Sequence, residues 1–190
     1  MGIGQTQLYL LDAGKEYFDT LAEAGEPAVP QSQWILSHAR DKPYSVSEIF
    51  ELNLARDAFR GEALAYWNQT QSRTSTGRPV DAIISPVAPT LAPPHDTTVS
   101  WTYTSHWNLL DYPAAVFPMG RYTADETDLA ASFGPARNET EAFVQSQWNE
   151  APERAIGLPV GLQLIGRRHN EEKVLGMLQV IERALDKEKT

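Results

Sequence analysis

The stretch that decides the fold is residues 81–120, DAIISPVAPTLAPPHDTTVSWTYTSHWNLLDYPAAVFPMG. Two short apolar runs, Ala82-Ile83-Ile84 and Ala114-Ala115-Val116-Phe117, each lead into a proline, Pro86 and Pro118. Proline has no N–H to give to a ladder, so the pattern predicts two buried strands that stop at a common edge. Between them lie a proline-rich loop and an aromatic, helix-like segment that ends in Asn108-Leu109-Leu110-Asp111-Tyr112-Pro113-Ala114.

A second block, Gly157 to Glu172, reads GLPVGLQLIGRRHNEE. Val160, Leu162 and Leu164 alternate with Gly161, Gln163 and Ile165, which predicts a third strand with one wholly apolar face. Asn170 then stands where a helix cap belongs, with Glu171 and Glu172 placed to favour the helix dipole. Val174, Leu178, Ile181 and Leu185 recur at helical spacing. Ile83, Val116, Leu162 and Leu164 are expected to point into one core shared with this last helix.

Toward the N-terminus, Tyr17, Leu21 and Ala24 predict a helix that Gly25 and Pro27 end. Ser45-Val46-Ser47-Glu48 has the form of a capping box, so a helix should begin there. Leu52, Ala55, Phe59, Ala63 and Tyr66 form its predicted stripe, and 70–79 is a polar linker. Residues 121–156 read as a long excursion in which Asn138 could cap a helix containing Phe143, Val144 and Trp148. Strands alternating with helices make the chain α/β, a single domain over 1–190 with a mixed sheet flanked by helices. Three short strands are few for 190 residues, so the sheet is expected to be incomplete.

Composition narrows the chemistry. A net charge of −9, with no basic block longer than Arg167-Arg168, argues against nucleic acid or an anionic membrane surface as partner. The chain has no cysteine, which removes disulfides, thiolate metal sites and a cysteine nucleophile, and fits a reducing, cytoplasmic compartment. No run approaches the roughly 18 apolar residues that span a bilayer. Met1 to Thr6 matches a loose acylation pattern, and Asn68 and Asn138 match the glycosylation pattern, but nothing reinforces either. His38, His95, His106 and His169 lack metal-ligand spacing, and the single glycines make no phosphate cradle, so no metal or cofactor is expected. Ser85, His95 and Asp96 lie close in sequence, yet no nucleophile elbow is present and Pro86 accounts for Ser85 as a strand end. The aromatics Trp101, Tyr103 and Trp107 fit either a core or the wall of a pocket at the strand edge.

These motifs in this order resemble the amidase signature family, in its fungal acetamidase-like and fatty-acid-amide-hydrolase-like branches. The resemblance rests on Asp12-Ala13-Gly14, Gly25-Glu26-Pro27, Asp81 to Pro86, Ala92-Pro93-Pro94-His95, Tyr103-Thr104 with Asn108, Asp111 to Ala114, and Gly161 to Gly166 followed by Glu171-Glu172. It implies the C-terminal portion of an amidase fold. Family members hydrolyse carboxylic amides with a Ser-Ser-Lys triad and an oxyanion hole of backbone N–H groups. Those groups lie in a Gly/Ser-rich stretch, and this chain has no Gly-Ser or Ser-Ser dipeptide. Its lysines, Lys15, Lys42, Lys173, Lys187 and Lys189, stand in other contexts, so the resemblance assigns no catalytic residue. It marks Thr98, Trp101 and Ser105 as candidates for the acyl-side pocket wall, and a tryptophan there would favour a short or flat acyl group. The partner implied is a small carboxamide, with the N-terminal half supplied, and exposed apolar surface would allow self-association. A catalytically inactive carboxamide-binding module and an unrelated α/β domain are the alternative readings.

Overall fold

The computed structural model describes residues 5–98, 100–123 and 134–188. Part of the acylation pattern, Val99, part of the 121–156 excursion and Lys189 lie outside the described residues. The described residues form two compact units. One holds the chain up to Val80 together with His95–Thr98, and the other holds Asp81–Pro94 and the residues from 100 onward.

The first unit is helical: α1 (Gln5–Tyr9), α2 (Lys15–Ala24), α3 (Pro30–Leu36) and α4 (Val46–Gln69), followed by a short 3₁₀ turn, Thr70–Arg73. The Asp12 carboxylate starts α2 by accepting from Gly14 N at 2.9 Å and Glu16 N at 2.8 Å. Gly14 is needed between them, because it adopts φ +76° and a Cβ there would lie 2.9 Å from Leu36 Cδ2. Gly25, also left-handed, ends α2 as expected, with its N–H returning to Ala22 O.

The capping box at α4 forms as read. Ser45 Oγ accepts from Glu48 N, and Ser45 N donates to Glu48 Oε2 at 2.7 Å. The expected stripe is only partly right. Leu52, Phe59 and Ala63 are half-buried, but Ala55 and Tyr66 are exposed and the buried residue is Trp67. Steps of seven, four and four from Leu52 lead to Trp67, whereas Tyr66 falls about 100° off that line. Trp67 Nε1 donates to Val80 O at 2.8 Å. A second side of α4, carrying Val46, Phe50 and Leu54, is exposed.

The second unit contains β1 (Ile83–Pro86), α5 (Thr102–Leu110), β2 (Ala114–Arg121), α6 (Glu139–Glu150), a 3₁₀ turn (Pro152–Ala155), β3 (Pro159–Ile165) and α7 (Glu171–Glu188). The sheet order is β1-β3-β2, and both pairings are antiparallel. β1 and β2 therefore run in the same direction on either side of β3. The mixed pairing expected from sequence is replaced by two antiparallel ladders, because the last strand inserts between the first two.

The register separates the two faces. Leu162 pairs with Pro86 and Phe117, and Leu164 with Ile84 and Ala115, so these residues share one face. α7 covers that face, and Phe117, Leu164 and Val174 form the buried core, packed by Ala115, Leu162, Leu178, Ile181 and Leu185. Ile83 and Val116 belong to the opposite face, with Gln163 and Ile165. This corrects the expectation that they enter the α7 core; Val116 is 62% exposed. The error is one of phase, since a one-residue slip moves a side chain to the other side of a sheet.

Pro118 also differs from expectation. Pro86 ends β1, but β2 runs on past Pro118 to Arg121, with a register shift between Pro118 and Gly120. An edge strand with a bulge accommodates proline, because its missing N–H faces away from the ladder. Asn138 caps α6 as read, its Oδ1 accepting from Glu141 N at 2.9 Å. Asn170 precedes α7 and accepts there through its backbone carbonyl, from Val174 N, while its side-chain amide turns back to Arg168 O.

Candidate functional site

Because β1 and β2 run the same way, both leave the sheet at the edge where β3 enters. A cavity of about 900 Å³ opens at that edge. Its walls are the 86–93 loop after β1, the first turn of α5, the start of β3, and the α6 face carrying Val144 and Trp148. The loop cannot collapse into a ladder, because prolines recur in it at 86, 89 and 93.

Gln163 holds the two nearest walls. It is 2% exposed, and its Nε2 lies 2.8 Å from Pro86 O, 2.8 Å from Tyr103 O and 3.1 Å from Ser85 Oγ. Ser85 in turn donates to Pro86 O at 3.2 Å. The Ser85 hydroxyl is thus engaged within the wall, as expected of a strand end.

One ion pair borders the cavity. Glu141 accepts from Arg137 N at 2.6 Å and from the Arg137 guanidinium at 3.0–3.3 Å. These bonds hold the Glu141 carboxyl below its ordinary value, the Arg137 side chain contributing most. The remaining lining is dominated by apolar side chains, with hydroxyls from Thr90, Ser100, Thr102 and Thr140.

The residues marked from sequence fall elsewhere. Thr98 is exposed and belongs to the first compact unit. Trp101 is the half-buried residue before α5, and Ser105, 3% exposed, sits one turn along, its N–H donating to Trp101 O at 2.8 Å. Neither lines the cavity, whereas Ser100, Thr102 and Tyr103 do. At about 100° per residue, Trp101 and Ser105 share one side of the helix and Tyr103 faces nearly opposite. The helical period of 101–110 is the signal that picks out Tyr103. On the same helix, burial lowers the pKa of His106. Among the described residues no group of three or more His, Cys, Asp or Glu could hold a metal, and no helix is long and apolar enough to cross a membrane.

Residues 17–175 match the family described as Amidase. The chain belongs to the amidase family. Amidase 2 of Gibberella moniliformis is 38% identical over 87% of this chain, and the acetamidase of Emericella nidulans 29% over 95%. A solved fatty acid amide hydrolase superposes with a TM-score of 0.78 at 28% identity, covering 95% of this chain. The aligned region is 31% of Amidase 2, 32% of the acetamidase and 31% of the hydrolase structure. The chain thus spans about a third of the length of the relatives it matches, and its fold is part of the amidase fold.

Proposed function

We propose that this chain supplies the substrate-side part of an amidase that hydrolyses small carboxylic amides, with the Ser-Ser-Lys chemistry carried by the N-terminal part of the family fold. The observation that carries this reading is the family match over 17–175 at a third of the relatives' length. The cavity at the strand edge supports it, because ligands of open α/β sheets bind where strands end. In this reading Ser100, Thr102 and Tyr103 form the wall built by this chain. Thr98, Trp101 and Ser105 stay as acyl-side candidates on the resemblance alone. With Trp101 off this cavity, the restriction to a short or flat acyl group loses its structural support. The reaction places no demand on a cofactor or metal, and a cysteine-free chain suits the cytoplasm.

Alone, the chain should be inactive, since a triad acts as a unit and its loss removes orders of magnitude in rate. The test is turnover of acetamide, an aryl amide and a fatty amide by the 190-residue chain, with light scattering on the same sample. No turnover is expected, together with self-association through exposed apolar surface that lessens when the N-terminal part of an amidase is added in trans. Turnover that Ser85→Ala or His95→Ala abolishes would overturn the reading. A carboxamide-binding module without catalysis is the second reading, favoured by a cavity that the second unit walls with its own residues. It predicts saturable amide binding by a monomer that neither turns over nor responds to the added part.

A further inference from the structure

The motif Gly161-Leu162-Gln163-Leu164-Ile165-Gly166 puts one polar side chain at the centre of an apolar strand, and nothing in the proposed reaction uses it. We propose that Gln163 is a positioning residue: a donor-only latch whose amide fixes the two walls of the strand-edge cavity, the 86–93 loop and the first turn of α5, relative to each other.

The geometry dictates the polarity. Pro86 O and Tyr103 O are carbonyls and can only accept, so only the NH₂ end of the amide can face them. Turning the side chain over would place its oxygen against both. Two N–H groups thus serve two walls, with Ser85 Oγ alongside. β3 is the middle strand, paired on both sides, so it offers a fixed anchor. The two walls are less constrained. One is a loop that begins where Pro86 ends the ladder, and the other is the first turn of a helix. A buried bond to both converts the rigidity of the sheet into a defined cavity shape.

The inference rests on the pocket reading only for ligand binding; the latch itself is tested without a ligand. Gln163→Glu keeps the shape but reverses the polarity. Its carboxylate would face the two carbonyls, so its pKa is raised, and when protonated its single O–H can hold only one of the two walls. In hydrogen exchange, the amides of 87–92 and 102–105 in Gln163→Glu should lie closer to wild type at acid pH than at neutral pH, with one wall still held. They should lose protection about tenfold or more as pH rises, compared with wild type at each pH, while the β2–β3 ladder and α7 keep theirs. Gln163→Met should show the same local loss at every pH.

Either variant exchanging like wild type throughout, or losing protection evenly across the sheet and α7, overturns the proposal. If both variants fail to fold, the wild-type protein still decides: the labelled Gln163 side-chain NH₂ should exchange slowly by NMR, and exchange as fast as that of an exposed glutamine overturns the latch. Phenylacetamide binding, followed by tryptophan fluorescence, separates the two readings. If wild type fails to bind it, the pocket reading fails while the exchange result stands on its own.

Discussion

Gly166 and Val174 pack so closely that a methyl group on Gly166 would overlap Val174 Cγ2. Gly166 is also tied down at its N–H, which donates to Pro113 O at 2.9 Å. The close approach lets α7 fold back on the sheet directly after β3. Gly166→Ala should therefore destabilise the second unit by about 1–3 kcal/mol, the usual range for overpacking. Combining it with Val174→Ala should cost less than the two single changes summed, a coupling that a double-mutant cycle in urea measures.

Leu164 is central to the same core and is 2% exposed. Leu164→Ala should cost about 2–5 kcal/mol, because neighbours on β2 and α7 cannot all close the cavity. Val116→Ala, at an exposed position on the other face, should change stability by no more than about 0.5 kcal/mol. Equal effects of the two substitutions in chemical denaturation would remove the face assignment.

Glu48 gives a pH dependence. The Ser45 N–H, followed by Arg40 and the Ser45 hydroxyl, holds its carboxyl at about 2, below its ordinary 4.5. A carboxylate with a depressed folded pKa stabilises above its unfolded value and loses that contribution as pH falls through the folded one. The start of α4 should therefore fray between about pH 4.5 and pH 2, seen as loss of protection at the Glu48 and Ile49 amides. Ser45→Ala should weaken the helix start by about 1 kcal/mol and move the Glu48 titration, read by carboxyl NMR, toward 4.5.

The Arg137–Glu141 pair tests whether charge at the cavity matters. Removing the guanidinium with Arg137→Gln should raise the Glu141 pKa toward its ordinary value, since Arg137 is the main cause of its depression. If the cavity takes neutral amides, phenylacetamide binding by this variant should stay within about threefold of wild type at pH 7. That allowance matches the fraction of a kcal/mol expected of an exposed pair. A larger loss would show that the pair contacts the ligand.

Much of the second unit was legible because its signals are local. The period-two pattern of 160–165, the prolines of the 86–93 loop and the Asn138 cap each act within a few residues, and each element formed where it was read. The phase of Val116 was not legible, because an unbroken apolar run such as 114–117 carries no alternation to say which side is inward; only pairing with β3 decides it. The site was half legible. Pro86 ends β1 beside the cavity, but β2 runs on past Pro118, and the lining depended on the rotation of α5, which turns Tyr103 rather than Trp101 toward the cavity. Gln163 reads from sequence only as the polar residue of a strand, since its three acceptors come from segments far away in the chain.

The order of the sheet, β1-β3-β2, has a consequence for how the protein is made. The strand that joins the other two is the last to be synthesised, and Ser85 waits for a partner, Gln163, 78 positions downstream. At about 5–20 residues per second, that interval is roughly 4–16 s. During it β1 and β2 are translated segments with no ladder between them, leaving Phe117, which β3 and α7 later bury, open to other chains on neighbouring ribosomes. The sheet of this unit therefore closes only once β3 has been translated. Slowing translation between residues 121 and 159 should lengthen the vulnerable interval, whereas slowing it after Glu188 should not.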